Sequence, residues 1–173
     1  EIDSQIIIAA TKYVGVEGIQ ELVELGINNI GENRVEAFCE KYEVLHDLDI
    51  IWHFIGHLQS KKVKKVINHI DYLHSLDRLS LVEVIQKYRK LPLKCFIEVN
   101  ISEESSKYGL NMSEVYSFCE NIKSYDKILI VGLMGMAELT EDQTKIQDQF
   151  QKLATLKDDL NVNQNMNIEY LSM

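Results

Sequence analysis

One proline, one tryptophan, three cysteines and eight glycines in 173 residues leave this chain poor in the residues that punctuate or staple a fold. No linker, low-complexity segment, internal repeat or domain boundary is visible, so one domain spanning residues 1–173 is expected. Cys39, Cys95 and Cys119 are odd in number and widely spaced, which fits neither a disulfide framework nor a zinc site. A reducing, cytoplasmic compartment is the simplest reading. No apolar run approaches the roughly 20 residues of a membrane span. The opening EIDSQIIIAATKY lacks a basic region and a small-residue cleavage site, so no secretory signal is expected. Basic residues are outnumbered, 18 against 27 acidic, for a net charge of -9. That balance speaks against nucleic acid and anionic membranes as partners. A Walker loop, a Gly-x-Ser-x-Gly elbow and a recognisable Cys-His pair are all missing.

What is present is a globular composition, 46% hydrophobic and 26% charged. Short β-branched runs alternate with helical periodicities. Gln5–Ala10 reads as a strand buried on both faces, and Val16–Leu25 as a helix stopped by Gly26. Asn28–Ile30 follows as a strand. Val35, Phe38, Tyr42 and Leu45 mark a second amphipathic helix, and Ile50–Ile55 a third strand. Ser60 is placed to cap a helix that turns Val63, Val66, Ile67 and Ile70 inward. Strands at Tyr72–His74, Leu93–Val99, Ile128–Leu133 and Ile168–Leu171 then alternate with three helices. These are Leu79–Tyr88, one opened by the Asn111/Glu114 spacing, and one opened by the Thr140/Gln143 spacing. Seven β units and six helices imply parallel strands with crossovers, hence a doubly wound sheet or a (β/α)8 TIM barrel. The turn after the first strand, Ala9 to Gly15, lacks the dinucleotide glycine fingerprint, which favours the barrel. The chain then reads as truncated before its eighth unit.

In a barrel, chemistry gathers at the carboxyl ends of the strands. Lys12 follows an apolar strand directly. Partial desolvation would lower its pKa and suit it to form a Schiff base, whereas the alternative is a lysine that snorkels to solvent. Asn33 is either a ligand contact or a helix cap. His53 and His57 lie four apart in a strand-and-loop context that excludes the helical zinc motif, His57 facing a ligand and His53 packed in the strand. Gln59 and Ser60 read as the start of a helix. Lys61, Lys62, Lys64 and Lys65 form a basic patch without interleaved aromatics, read as a solvated helix face. Glu98, Glu103 and Glu104 are candidate acids or bases that nothing in the sequence separates.

Several stretches together carry a resemblance. They are Ala9-Ala10-Thr11-Lys12, Gly31-Glu32-Asn33, WHFIGHLQS at 52–60, His74-Ser75, Val99-Asn100-Ile101-Ser102, Ser106-Lys107-Tyr108-Gly109, Gly132-Leu133-Met134 and Leu171-Ser172-Met173. In this order they resemble the YggS/PROSC family of pyridoxal phosphate homeostasis proteins. The resemblance implies a fold-type III barrel like the N-terminal domain of alanine racemase. It implies Lys12 as the lysine that holds pyridoxal 5'-phosphate, with Asn33 and His57 near the cofactor ring. Ser172 would be at the phosphate and Met173 beside the ring. It further implies a carrier of the cofactor in vitamin B6 homeostasis, without robust catalysis. PLP-dependent apoenzymes are then possible recipients, and a monomer is expected. The chain departs from the family where Tyr13-Val14-Gly15 replaces a usual second lysine and proline, at Lys61 where asparagine is common, and at Val131 where arginine is common. A racemase on the same barrel is the alternative, but it needs a second base facing the lysine, for which no tyrosine is marked out. A cofactor-free aldolase accounts for Lys12 but not for the GEN, HFIGHLQ and LSM motifs together.

Overall fold

The computed structural model describes residues 5–102 and 108–173. Glu103, Glu104, Ser106 and Lys107, singled out above, lie outside the described residues. Among the described residues, seven strands form one parallel sheet in sequential order. They are β1 (Ala9–Ala10), β2 (Asn29–Glu32), β3 (Ile51–Phe54), β4 (Tyr72–Leu76), β5 (Leu93–Glu98), β6 (Ile128–Met134) and β7 (Tyr170–Ser172). The helices between them are α1 (Val16–Glu24), α2 (Val35–Leu45), α3 (Val63–Val66), α4 (Leu79–Tyr88), α5 (Met112–Ile122) and α6 (Gln143–Asn163). Sequential parallel order with a helix between successive strands is the pattern of a barrel wall and excludes the doubly wound alternative, whose strand order reverses. The sheet curls, because one cavity is bordered both by residues 5–8 ahead of β1 and by residues 169–173 at β7.

Alternation along the strands assigns two faces. Outward side chains such as Ile30, Trp52, Phe54, Leu73, Cys95 and Ile97 are buried against the helices. Trp52 meets the Phe38 ring edge-on, with centroids 5.2 Å apart, which fixes α2 on β3. The inward face is the unusual one, since Asn29, His53, Tyr72, His74, Phe96, Met134 and Ser172 all line the cavity. Gly132 belongs to this face. A Cβ there would stand 2.3 Å from the Phe96 ring, so the phenyl occupies the space a side chain would need.

The structure corrects several expectations. Only Ala9–Ala10 of the first apolar run pairs as a strand, while Ile6 and Ile7 are 61% and 74% exposed. Among the described residues β1 pairs with β2 alone, and the isoleucines ahead of it border the cavity and are not buried on both faces. Ser60 caps nothing; it opens a 3-10 turn, Ser60–Lys62, that leads into a single α turn. Ile67 and Ile70 are nonetheless buried as expected. Helix α6 is capped by Asp142, whose carboxylate accepts from the Thr144 and Lys145 amides, and not by Thr140. The last strand starts two residues later than its pattern suggested, because the Asn161 side chain holds the Ile168 amide and carbonyl outside the sheet. The three cysteines are free thiols. Among the described residues no helix is long and apolar enough to cross a membrane.

Candidate functional site at the carboxyl ends of the strands

Parallel strands followed by helices direct the helix N-termini toward the carboxyl ends of the strands, where their unsatisfied amides favour an anion. The five candidate residues from the sequence all come from this end: Lys12 two residues past β1, Asn33 directly after β2, His57 three residues past β3, Ser172 as the last residue of β7 and Met173 after it. A cavity of about 720 Å³ runs along the inner face of the sheet and reaches Ala10, Ser172 and Met173.

Lys12 stands two residues past the cavity-lining Ala10. Its expected desolvation is not observed: the side chain is exposed, with Nζ 4.8 Å from the centroid of the Tyr13 ring. The cause is position, since the chain leaves an edge strand at Ala10 and the turn projects past the sheet. Beneath Lys12 the backbone is held firmly. Thr11 donates from its amide and its hydroxyl to the Gly31 carbonyl, at 2.9 and 3.2 Å. The Thr11 carbonyl accepts from Lys41 Nζ at 2.7 Å. Lys41 is 8% exposed and also pairs with the buried Glu32 carboxylate at 2.5 Å. The second oxygen of Glu32 accepts from the Asn33 amide at 2.7 Å. Lys41 and Glu32 therefore tie the Lys12 turn to the Asn33 turn. Sequence reasoning missed Lys41, although its place on the apolar stripe of α2, three residues after Phe38, was the available signal.

Asn33 is not a helix cap: Arg34 occupies that position, and Asn33 Oδ1 is buried without a partner. His57 Nδ1 is likewise buried and unpartnered by a hydrogen bond, with Asp77 Oδ2 at 3.9 Å. The His57 ring stacks on Tyr108 at 4.2 Å. Desolvation, followed by the Arg78 charge, pushes the His57 pKa down. Glu98 lies on the inward side of β5, two residues after the cavity-lining Phe96. Its Oε2 is buried without a partner, and burial with the neighbouring Asp77 charge raises its pKa to about 7.

Ser172 is tied into a chain of side chains across the cavity floor. Its Oγ lies 2.8 Å from His74 Nδ1, and His74 Nε2 lies 2.9 Å from His53 Nδ1. His53 Nε2 lies 2.9 Å from Asn29 Oδ1. His74 stacks on Phe96 and His53 on Tyr72, with centroids 4.2 and 4.6 Å apart. Burial drives both imidazole pKa values down, to about 4 for His53 and about 3 for His74, so both rings are neutral near pH 7. Met173 is 64% exposed and lines the cavity beside Ser172. The basic patch is locally engaged, with Lys62 on Glu36 at 2.8 Å and Lys64 over the Tyr88 ring at 4.3 Å.

A curled sheet of sequential parallel strands, with a lysine past the first and an anion-compatible rim, defines a class that comparison with known proteins makes explicit. The chain belongs to the alanine racemase N-terminal domain family, whose profile matches residues 6–173. Within that family it groups with the pyridoxal phosphate homeostasis proteins. It is 36% identical over 170 residues to the one from Aquifex aeolicus, covering 96% of this chain and 75% of that protein. It is 32% identical over 162 residues to the one from Schizosaccharomyces pombe, covering 90% and 68%. Among solved structures, PipY of Synechococcus elongatus with PLP bound superposes with a TM-score of 0.88 at 26% identity, over 97% of this chain and 81% of that one. An alanine racemase from Clostridium difficile shares the fold alone, with a TM-score of 0.72 at 13% identity over 95% of this chain and 45% of that one.

Proposed function

We propose that this chain binds pyridoxal 5'-phosphate on a fold-type III barrel and serves vitamin B6 homeostasis as a carrier, without turnover of its own. The observation that carries the reading is the PLP-bound PipY, of the same fold, combined with a lysine just past β1 in this chain. Bound, the cofactor supplies an aldehyde that condenses with a primary amine, losing water, and a phosphate that needs donors. The residues present fit the first need, and Ser172 places a hydroxyl at the cavity for the second. Lys12 is a primary amine on a braced turn, and the cavity of about 720 Å³ is within the range of small-molecule sites. Asn33 Oδ1 and His57 Nδ1 are buried polar atoms in want of a partner near that end of the sheet. Lys12 would be the covalent anchor, with Nζ turned from Tyr13 toward the cavity. Asn33 and His57 would contact the ring, Ser172 would donate to the phosphate, and Met173 would lie against the ring. An exposed lysine that must swing inward suits a holder that also releases its load, and acceptors would be PLP-dependent apoenzymes in the cytoplasm.

Incubation with pyridoxal 5'-phosphate, borohydride reduction and peptide mass mapping tests this reading. A reduced adduct on Lys12 is expected, lost in Lys12→Ala, with no steady turnover of D- or L-alanine by the same sample. An adduct elsewhere, or sustained racemisation, contradicts it.

A further inference from the structure

The chain Asn29–His53–His74–Ser172 has a proton order that its chemistry dictates. Asn29 Nδ2 donates to Asn28 Oδ1 at 3.1 Å, which turns Asn29 Oδ1, a pure acceptor, toward His53 Nε2. His53 must therefore carry its proton on Nε2. As a neutral ring it then has only a lone pair on Nδ1, so His74 donates from Nε2. His74 in turn has only a lone pair on Nδ1, and Ser172 must give it the hydroxyl proton. In this order Ser172 Oγ faces the cavity as an acceptor, the wrong polarity for an anionic oxygen.

We propose that Asn29, His53 and His74 are positioning residues that set the hydrogen-bond polarity of Ser172, and that a phosphate at Ser172 reverses the whole chain. The proposal rests on the phosphate contact assigned to Ser172 above. In the reversed order Ser172 donates to the phosphate oxygen and accepts from His74 Nδ1–H. His74 Nε2 then accepts from His53 Nδ1–H, the Asn29 amide rotates to donate to His53 Nε2, and the Asn28 amide rotates with it so that Asn28 Nδ2 donates to Asn29 Oδ1. Protons balance: one enters His74 Nδ1 from water, one passes from His74 Nε2 to His53 Nδ1, and one leaves His53 Nε2 to water. Net charge on the chain is unchanged, and neither ring becomes a cation under the stacked Phe96 and Tyr72 rings. The sharing of one chain by five side chains, Asn28 included, makes the reversal all-or-none, because a single reversed link leaves two donors or two acceptors face to face.

Long-range ¹H–¹⁵N correlation spectra of ¹⁵N-histidine protein near pH 7 test this directly, with pyridoxal 5'-phosphate and with pyridoxal, which lacks the phosphate. Free protein is expected to show His53 and His74 as Nε2–H tautomers. Pyridoxal 5'-phosphate is expected to convert both to Nδ1–H, and pyridoxal to leave both as they were. Attachment of pyridoxal 5'-phosphate with unchanged tautomers, the same conversion by pyridoxal, or a doubly protonated His74 overturns the relay. If mass analysis of the same sample shows no attachment of pyridoxal 5'-phosphate, the functional reading itself fails and the relay falls with it.

Discussion

At the scale of single residues, three buried titratable groups give this molecule a pH signature. His53 and His74 are held neutral, with folded pKa values of about 4 and about 3 against an ordinary 6.5. Unfolding lets them take up protons, so their contribution is intact above pH 6.5 and is lost as the pH falls toward those folded values. Glu98 runs the other way. Its folded pKa of about 7 exceeds the ordinary 4.5, so its contribution is full below 4.5 and is lost as the pH rises through 7. Between pH 4.5 and 6.5 two histidines oppose one carboxyl. Stability from these three groups should therefore rise with pH by about one proton's worth, roughly 1.4 kcal/mol per pH unit. Glu98→Gln should be more stable than the parent at pH 8, by at most about 3 kcal/mol and less because the group is partly solvated. The gap should close below pH 4.5. Urea midpoints across pH 4–8 check both statements, and a variant no more stable than the parent at pH 8 contradicts the assignment of Glu98.

At the scale of elements, the Lys41–Glu32 pair joins α2 to β2 and to the turn that carries Lys12. Lys41→Met leaves a buried carboxylate with only backbone amides, and is expected to cost about 3–5 kcal/mol. Urea unfolding measures that cost. Gly132→Ala is expected to cost about 1–3 kcal/mol, because the added Cβ meets the Phe96 ring at 2.3 Å. Loss of the α6 cap in Asp142→Ala should cost about 1 kcal/mol in thermal or urea unfolding. The elements themselves were largely legible. The spacing of Val35, Phe38, Tyr42 and Leu45 marked α2, and the ends of α4 matched the pattern at Leu79 and Tyr88. The Asn111/Glu114 spacing proved to be a capping box. Thr140 misled because the same spacing stood two residues from a stronger cap, the Asp142 carboxylate. The run at Gln5–Ala10 misled because hydrophobicity marks burial, while pairing depends on whether a neighbouring strand is present.

At the scale of the whole molecule, the unit count and the missing glycine fingerprint pointed to a (β/α)8 barrel one unit short, and the described residues form a curled sheet of seven parallel strands in sequential order, consistent with it. Sequence spacing could name rim residues, because strand ends are local features. It could not assemble Asn29, His53, His74 and Ser172, which are brought together only by the register of non-adjacent segments and the curl of the sheet. Nor could it foresee that Lys12 lies exposed on a braced turn, since the desolvation of an ammonium depends on what surrounds it in space. The functional reading turns on that lysine. The direct measurement is peptide mass mapping after borohydride reduction of the chain mixed with pyridoxal 5'-phosphate. The account predicts one reduced adduct, on Lys12, that disappears in Lys12→Ala. An unmodified Lys12 with cofactor retained elsewhere on the chain would contradict it.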